Sequence, residues 1–305
     1  MKMRGRRYSR HLLWALGLAS LVLAPSPAAT AASPPGSAGA SGAAGTGAAG
    51  TGAAGTASES SAPTSYYLAL GDSVPVWDGT DSYAHLLENH YVSTIPGLTL
   101  EDMAISGATT TSMLKGPEYR TALRFLHSHV GHMTLITIDI GGNDLVHCAT
   151  ATGINQACTK KGLATVAHNL TKMLSGLKKA APSVPIFGMN YYDPYLGDWL
   201  AGGSVRTLAL GTLPIVARLN TELVSLYGGP SVTADVTDAF KTSNDTSLVD
   251  SPWGKVPIDV DRACSWLDIT CHKGASEGFG DDPNISGQKT IAAVFEHTIG
   301  KLRSP

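Results

Sequence analysis

The chain has 305 residues, of which 43% are hydrophobic, and its formal net charge at pH 7 is −2. That length and apolar content suit one large folded domain or two small ones. Because the charge is near zero and the body has no cluster of Lys and Arg, the composition argues against a nucleic-acid partner, which needs a basic field along the phosphates.

The first 32 residues have the pattern of a secretion signal. A basic start that includes Arg6 and Arg7 precedes the apolar run LLWALGLASLVLA, and small residues suited to cleavage lie near Ala31 and Ala32. The apolar run is shorter than the about 20 residues that span a bilayer. We therefore expect a secreted, extracellular protein with no stable membrane span after signal removal. The two arginines leave general and twin-arginine export both open.

Residues 33–64 consist almost entirely of Gly, Ala, Ser, Thr and Pro, and GAAGT occurs three times in succession. This segment has too little apolar surface to fold alone, which predicts a disordered linker. The folded domain is then expected over residues 65–305.

Within that domain, apolar β-prone runs alternate with helix-like segments. The strand-like runs are residues 66–73, 98–106, 133–144, 184–194 and 231–240, and the helix-like segments are residues 82–92, 118–130, 162–182, 212–228 and 286–303. Such alternation predicts right-handed crossovers and a doubly wound parallel sheet covered on both faces, an α/β fold. The long polar region from Thr242 to Asp282 is expected to cover one edge of this sheet.

Three polar or glycine positions follow successive predicted strands. Ser73 follows the first strand, Gly107 the second and Asn143 the third. In open parallel sheets ligands bind outside the carboxyl ends of the strands. A serine hydroxyl attacks a carbonyl only where donors face the developing oxyanion, and backbone N–H groups with an asparagine amide are suitable donors. A lone serine after a strand, by contrast, is most often a cap or a turn residue.

The sequences around these positions resemble the GDSL or SGNH hydrolases. GDSV contains Ser73, MAISGATTTSML contains Gly107, and GGND contains Asn143, in the order and spacing of three blocks of that family. The resemblance implies a three-layer α/β/α fold of flavodoxin-like architecture and ester hydrolysis through an acyl-enzyme. It implies Ser73 as the nucleophile, an oxyanion hole from Gly107, Asn143 and the Ser73 N–H, and no metal or organic cofactor.

The fourth block departs from the family pattern. Family members carry a histidine base, oriented by an aspartate, at the start of the last helix. Here FGDDPNISG places Asp282 at the histidine position and Phe279 at the aspartate position. The first interpretation is that Asp282 takes the proton. A carboxylate with a pKa of about 3.9 is a weak base, although repulsion from Asp281 would raise that value.

The second interpretation is that another histidine has replaced the missing one. His147 follows Asp144 at the right spacing, and His272 lies on the loop before the fourth block. The third interpretation is that catalysis is lost and the protein binds a ligand or carbohydrate in the same pocket. The simpler alternative for either histidine is a surface or partly buried residue with no catalytic role.

Aromatic residues and cysteines complete the picture. The candidates for a substrate surface or for loop packing are Tyr191, Tyr192, Tyr195, Trp199, Trp253 and Trp266.

In an oxidising compartment the four cysteines favour the local disulfides Cys148–Cys158 and Cys264–Cys271, because local pairing needs least reorganisation. Their spacing matches no common zinc pattern. The sequence thus predicts a monomeric, secreted serine esterase or lipase acting on a small-molecule, lipid or carbohydrate ester.

Overall fold

The computed structural model describes residues 65–150, 153–275 and 282–300. All of them belong to one compact unit, Glu59–Pro305. The predicted signal peptide, residues 1–32, and the predicted linker, residues 33–64, lie outside the described residues and remain predictions.

A five-stranded parallel sheet forms the centre of the domain. The strands of the described chain are β1 Ser65–Gly71, β2 Leu98–Asp102, β3 Met133–Asp139, β4 Ala149–Thr150, β5 Gly153–Ile154, β6 Ile186–Met189, β7 Thr233–Ala234, β8 Leu248–Ser251 and β9 Gly254–Pro257. The sheet order is β2-β1-β3-β6-β7, and each neighbouring pair is parallel. The strands β4-β5 and β8-β9 form two separate antiparallel pairs.

Helices cover both faces of the sheet. They are α1 Tyr83–Tyr91, α2 Thr110–Lys115, α3 Pro117–Ser128, α4 Gln156–Ala180, α5 Gly203–Tyr227, α6 Val236–Ala239, α7 Ile258–Trp266 and α8 Ile285–Ile299. All seven residues of β3 are buried, because apolar residues such as Leu135, Ile136 and Ile138 face helices on either side. In one layer α3, α4 and α5 pack in sequence, and in the other α1 packs against α8. This is the predicted three-layer α/β/α architecture.

The last predicted strand was largely wrong. Of residues 231–240, only Thr233–Ala234 pair with β6, and the chain then turns into α6. The cause is Asp235, whose side chain accepts a hydrogen bond from the Asp238 N–H and caps the helix. Sequence periodicity also did not predict the short α2. It predicted that the next two helices begin at residues 162 and 212, whereas α4 begins at Gln156 and α5 at Gly203.

The polar region before the last helix is more ordered than its composition suggests. It contains the β8-β9 hairpin and α7. The last helix then begins beside the loop that follows β1, because Gln288 Nε2 donates to the Val74 carbonyl at 2.9 Å and Gln288 Oε1 accepts the Tyr83 N–H at 2.8 Å.

Both predicted disulfides are present. Cys148 bonds Cys158, with their Cα atoms 5.4 Å apart, and Cys264 bonds Cys271 at 5.7 Å. Within the described ranges, no helix is both long enough and apolar enough to cross a bilayer.

Candidate active site

The site begins where β1 ends, at Gly71. A Cβ on Gly71 would lie 2.5 Å from the Asp139 carbonyl oxygen and 2.8 Å from Asp139 Oδ1, and the φ angle of this residue is +153°. Only glycine fits such a close approach of β1 to β3. The Gly71 N–H donates to Glu118 Oε1 at 3.0 Å, which ties the strand end to the first turn of α3.

Asp72 shapes the turn that carries Ser73. Its N–H donates to the Asp139 carbonyl at 3.1 Å, and its Oδ1 accepts the Val74 N–H at 3.1 Å. A carboxylate that accepts an N–H two residues ahead closes a tight local turn. The serine at the centre of this turn has an exposed fraction of 9% and lines a surface pocket.

The ends of β2 and β3 lie on either side of Ser73, because β1 is the strand between them. The chain after β2 follows β1 through the Ile105 N–H, which donates to the Gly71 carbonyl at 3.1 Å. Gly107 then adopts a φ of +78°. From β3, Asn143 Nδ2 donates to the Ala108 carbonyl at 3.0 Å. The three predicted blocks therefore meet at one edge of the sheet.

Asp144 locks the second and third blocks together. Its two carboxylate oxygens accept the Thr110 N–H and the Thr110 hydroxyl, each at 2.7 Å, at the start of α2. Asn169 on α4 donates to the same hydroxyl at 3.2 Å. Asp144 is thus committed to holding the loop of Gly107 in place, and this explains the aspartate after Asn143.

Several N–H groups at this edge have no acceptor in the described part of the chain. They are the backbone N–H groups of Ser73 and Gly107 and the second N–H of the Asn143 amide. A set of unused donors around a serine is the arrangement that an oxyanion requires.

An apolar pocket opens beside Ser73 and Asn143. It encloses about 720 Å³, counting its open mouth. Leu145, Val146, Ala149, Tyr191, Tyr192, Pro194, Tyr195, Ile215, Val216 and Leu219 line it. Three of the predicted aromatics are therefore in the wall, whereas Trp199, Trp253 and Trp266 pack against the core elsewhere. Trp199 instead stacks under Arg206, with 3.7 Å from the guanidinium carbon to the ring centroid.

The candidate bases occupy different places. Asp282 is 7% exposed, and its carbonyl accepts the Asp268 N–H at 2.8 Å. It lies three residues before Ile285, where α8 begins, and Gln288 ties that helix to Val74. His147 is exposed and lines a separate cavity with Asp144 and Cys158. His272 is exposed as well, on the short segment held by the Cys264–Cys271 disulfide. Phe279 and Asp281 lie outside the described residues.

Buried carboxyl groups surround the end of β1. Glu118 is 4% exposed and Asp139 is fully buried. Burial, with a smaller contribution from the Asp72 charge, raises the pKa of Glu118 to about 8. Burial and then Asp72 raise the pKa of Asp139 well above its usual range, while a 2.5 Å hydrogen bond from the Tyr83 hydroxyl opposes that shift. Glu118 is therefore protonated in the folded chain at neutral pH.

This architecture matches a known family. A parallel sheet with a serine, an asparagine and unused N–H groups at its carboxyl edge is the fold of an SGNH-type hydrolase. Residues 69–251 match the model of the GDSL-like lipase/acylhydrolase family, and the chain belongs to that family. A comparison with curated proteins gave no match.

Solved structures share the fold. Phospholipase A1 from Streptomyces albidoflavus is 20% identical, with a TM-score of 0.51 over 77% of this chain and 99% of that one. An extracellular lipase from Streptomyces rimosus is 19% identical, with a TM-score of 0.50 over 77% and 99%. A candidate GDSL-like lipase from Parabacteroides merdae is 14% identical, with a TM-score of 0.53 over 78% and 97%. At these identities the likeness concerns the fold.

The raised pKa of Glu118 leads to a prediction of how the free energy of unfolding depends on pH. Because its pKa is about 8 when folded and about 4.3 when unfolded, the folded chain holds the extra proton between these values. The free energy of unfolding then falls as pH rises through this window, by at most about 1.4 kcal/mol per pH unit for one proton. In Glu118→Gln the fall should be shallower, because the amide still accepts the Gly71 N–H and does not titrate.

Urea unfolding at pH 5, 6, 7 and 8 measures this difference. Glu222→Gln, a partly exposed glutamate on α5, is the matched control and should follow the parent chain. Equal pH dependence in the parent and in Glu118→Gln would show that Glu118 is ionised in the folded protein.

Proposed function

We propose that this chain is an exported carboxylic ester hydrolase that works through an acyl-enzyme on Ser73. The observation that carries the proposal is the apolar pocket that opens at Ser73 beside three unused N–H donors. Membership in the GDSL-like lipase/acylhydrolase family supports ester hydrolysis as the reaction. The two disulfides support an oxidising, extracellular location.

The donors define where the substrate carbonyl lies. With its oxygen on the N–H groups of Ser73 and Gly107 and on the Asn143 amide, the carbonyl carbon faces the Ser73 hydroxyl. Donors fixed in advance stabilise the charge that develops on this oxygen and need no reorganisation during the reaction. The acyl chain then extends into the pocket, whose wall is formed by groups such as Leu145, Ile215 and Leu219. Burying each methylene there contributes about 0.8 kcal/mol.

In the first half-reaction Ser73 Oγ forms a bond to the carbonyl carbon and its proton passes to the base. The tetrahedral intermediate expels the alcohol oxygen, which takes the proton back from the base and leaves as the free alcohol. In the second half-reaction water attacks the acyl-Ser73 ester, its proton passes to the base, and the carboxylic acid leaves as the proton returns to Ser73 Oγ.

We take Asp282 as the base, because it stands at the position of the family's histidine. It lies three residues before Ile285, the first residue of α8, and Gln288 in that helix bonds to Val74, the neighbour of Ser73. None of Asp282, His147 and His272 is among the residues that line the pocket of Ser73, so the base is assigned from the position of Asp282 in the sequence and before α8. The rival function, a ligand-binding protein without activity, is favoured by one observation, the aspartate at the position of the family's histidine.

The first prediction concerns the nucleophile. Ser73→Ala should abolish hydrolysis of p-nitrophenyl butyrate, and Asn143→Ala should lower kcat by about 10²- to 10³-fold because one oxyanion donor is lost. Ser93→Ala, an exposed serine after α1, is the matched control and should retain the full rate. A parent rate no higher than that of Ser73→Ala, on short and long acyl chains and at every pH, would overturn the hydrolase and favour the binding protein.

The second prediction concerns the base. With a carboxylate base, kcat/KM should already be constant above about pH 6, whereas a histidine base would give a midpoint at about pH 6 to 7. Asp282→Asn should remove most of the rate. Asp282→His should give a rate whose midpoint moves to the histidine range, because it restores the family's residue.

His147→Ala and His272→Ala are the controls for the base and should leave the pH profile of the parent chain unchanged. Loss of the rate in either of them, with Asp282→Asn fully active, would assign the base to that histidine instead.

The third prediction concerns acyl length. Val216 on α5 faces the pocket, so Val216→Trp should fill it and reduce kcat/KM for octanoate esters by about tenfold or more, while acetate esters change little. Ala217→Trp places the same ring one residue further, outside the pocket wall, and is the matched control. Equal losses for acetate and octanoate in Val216→Trp would show that acyl chains do not occupy this pocket.

A further inference from the structure

Hydrogen bonds and packing contacts fix both the main chain and the side chain of Tyr191. It follows β6, and its main chain is clamped by one side chain, Asn220 on α5. Asn220 Oδ1 accepts the Tyr191 N–H at 2.8 Å, and Asn220 Nδ2 donates to the Tyr191 carbonyl at 2.7 Å. The Thr237 hydroxyl donates to the same carbonyl at 2.8 Å. The backbone N–H and the carbonyl of Tyr191 are therefore both fixed by side chains from other elements.

The ring of Tyr191 is fixed as well. Its hydroxyl donates to Asp72 Oδ2 at 2.8 Å, and this carboxylate uses its other oxygen to accept the Val74 N–H. Asp72 is 3% exposed and Tyr191 is 7% exposed, so this is a buried, charge-assisted hydrogen bond. Burial, and next the Asp72 charge, raise the pKa of Tyr191 well above its usual value, so that the hydroxyl stays a donor.

The same ring packs against the other side of the site. A Cβ on Gly142 would lie 3.3 Å from Tyr191 Cε1, so the glycine packs closely against the ring. Gly142 is directly before Asn143. One side chain thus contacts the turn of Ser73 through Asp72 and the turn of Asn143 through Gly142.

We propose that Tyr191 is a positioning residue for the oxyanion site. Its hydroxyl orients the Asp72 carboxylate and thereby the turn that presents the Ser73 N–H. Its ring fixes the position of Gly142 and thereby the position of the neighbouring Asn143 amide. The distance between the two kinds of donor is then fixed by a rigid side chain rather than by two independent loops. This inference rests on the proposed function, because it assigns the donors to an oxyanion.

Tyr191→Phe is the decisive variant, since it keeps the ring on Gly142 and removes only the bond to Asp72. We expect kcat to fall by about 10- to 100-fold with KM within twofold. An alkyl boronic acid, which forms a tetrahedral adduct on Ser73, should lose affinity by the same factor, whereas the carboxylic acid product should bind as before. Tyr119→Phe removes a hydroxyl that bonds the Met173 carbonyl at 3.2 Å, remote from the site, and is the control.

Two results separate this inference from the proposed function. If the parent chain hydrolyses esters and Tyr191→Phe keeps both kcat and boronic acid affinity, the positioning role is wrong and the hydrolase stands. If the parent chain hydrolyses nothing, the proposed function fails, and amide NMR still decides the inference. The Ser73 N–H resonance should shift in Tyr191→Phe and not in Tyr119→Phe, and an unchanged resonance would overturn the role. Urea unfolding of each variant corrects the rates for any loss of folded protein.

Discussion

The site depends on the close approach of β1 to β3 at Gly71. A side chain at this position would collide with the Asp139 backbone, so glycine is required. The approach brings the Asp72 N–H onto the Asp139 carbonyl and lets the chain turn at once, which places Ser73 in the middle of the carboxyl edge. Asp139 and Glu118, which both contact this strand end, are buried, and burial favours their protonated forms. The turn of the nucleophile and the two buried acids therefore meet at one contact.

Two features of this chain respond to pH in the same direction. Buried acids that hold protons stabilise the fold more at low pH than at high pH. A carboxylate in the position of the usual histidine would also remain a base below the range in which histidine is neutral. With Asp282 as the base, as proposed, both effects favour low pH, although they arise from different parts of the chain.

Much of the fold and part of the candidate site could be predicted from the sequence. The strands β1, β2 and β3 are strongly apolar, and each ends in a polar or glycine motif, so their order and the meeting of Ser73, Gly107 and Asn143 followed from the general behaviour of parallel sheets. The local disulfides followed from spacing. The short strand β7 and α6 did not, because a single capping aspartate, Asp235, overrides the β-prone residues around it.

Other parts of the site depend on contacts between residues distant in sequence, which periodicity does not report. The pairing of Tyr191 with Asp72 spans 119 positions, and Asn220 reaches Tyr191 from another layer. Asp144 looked like half of an Asp-His pair, whereas both of its oxygens are bonded to Thr110. The available signal was the position of Tyr191 after a strand end, which marked it as a pocket residue and gave no hint of its hydroxyl's partner.

In the proposed mechanism Ser73 carries the acyl group during turnover. Rapid acid quenching of the parent chain with a slowly hydrolysed p-nitrophenyl ester, followed by peptide mass spectrometry, tests it most directly. The account predicts a mass increase of one acyl group on the peptide that contains Ser73, formed as the first equivalent of p-nitrophenol appears and absent in Ser73→Ala. Turnover without that adduct, or with the acyl group on another residue, would contradict the account.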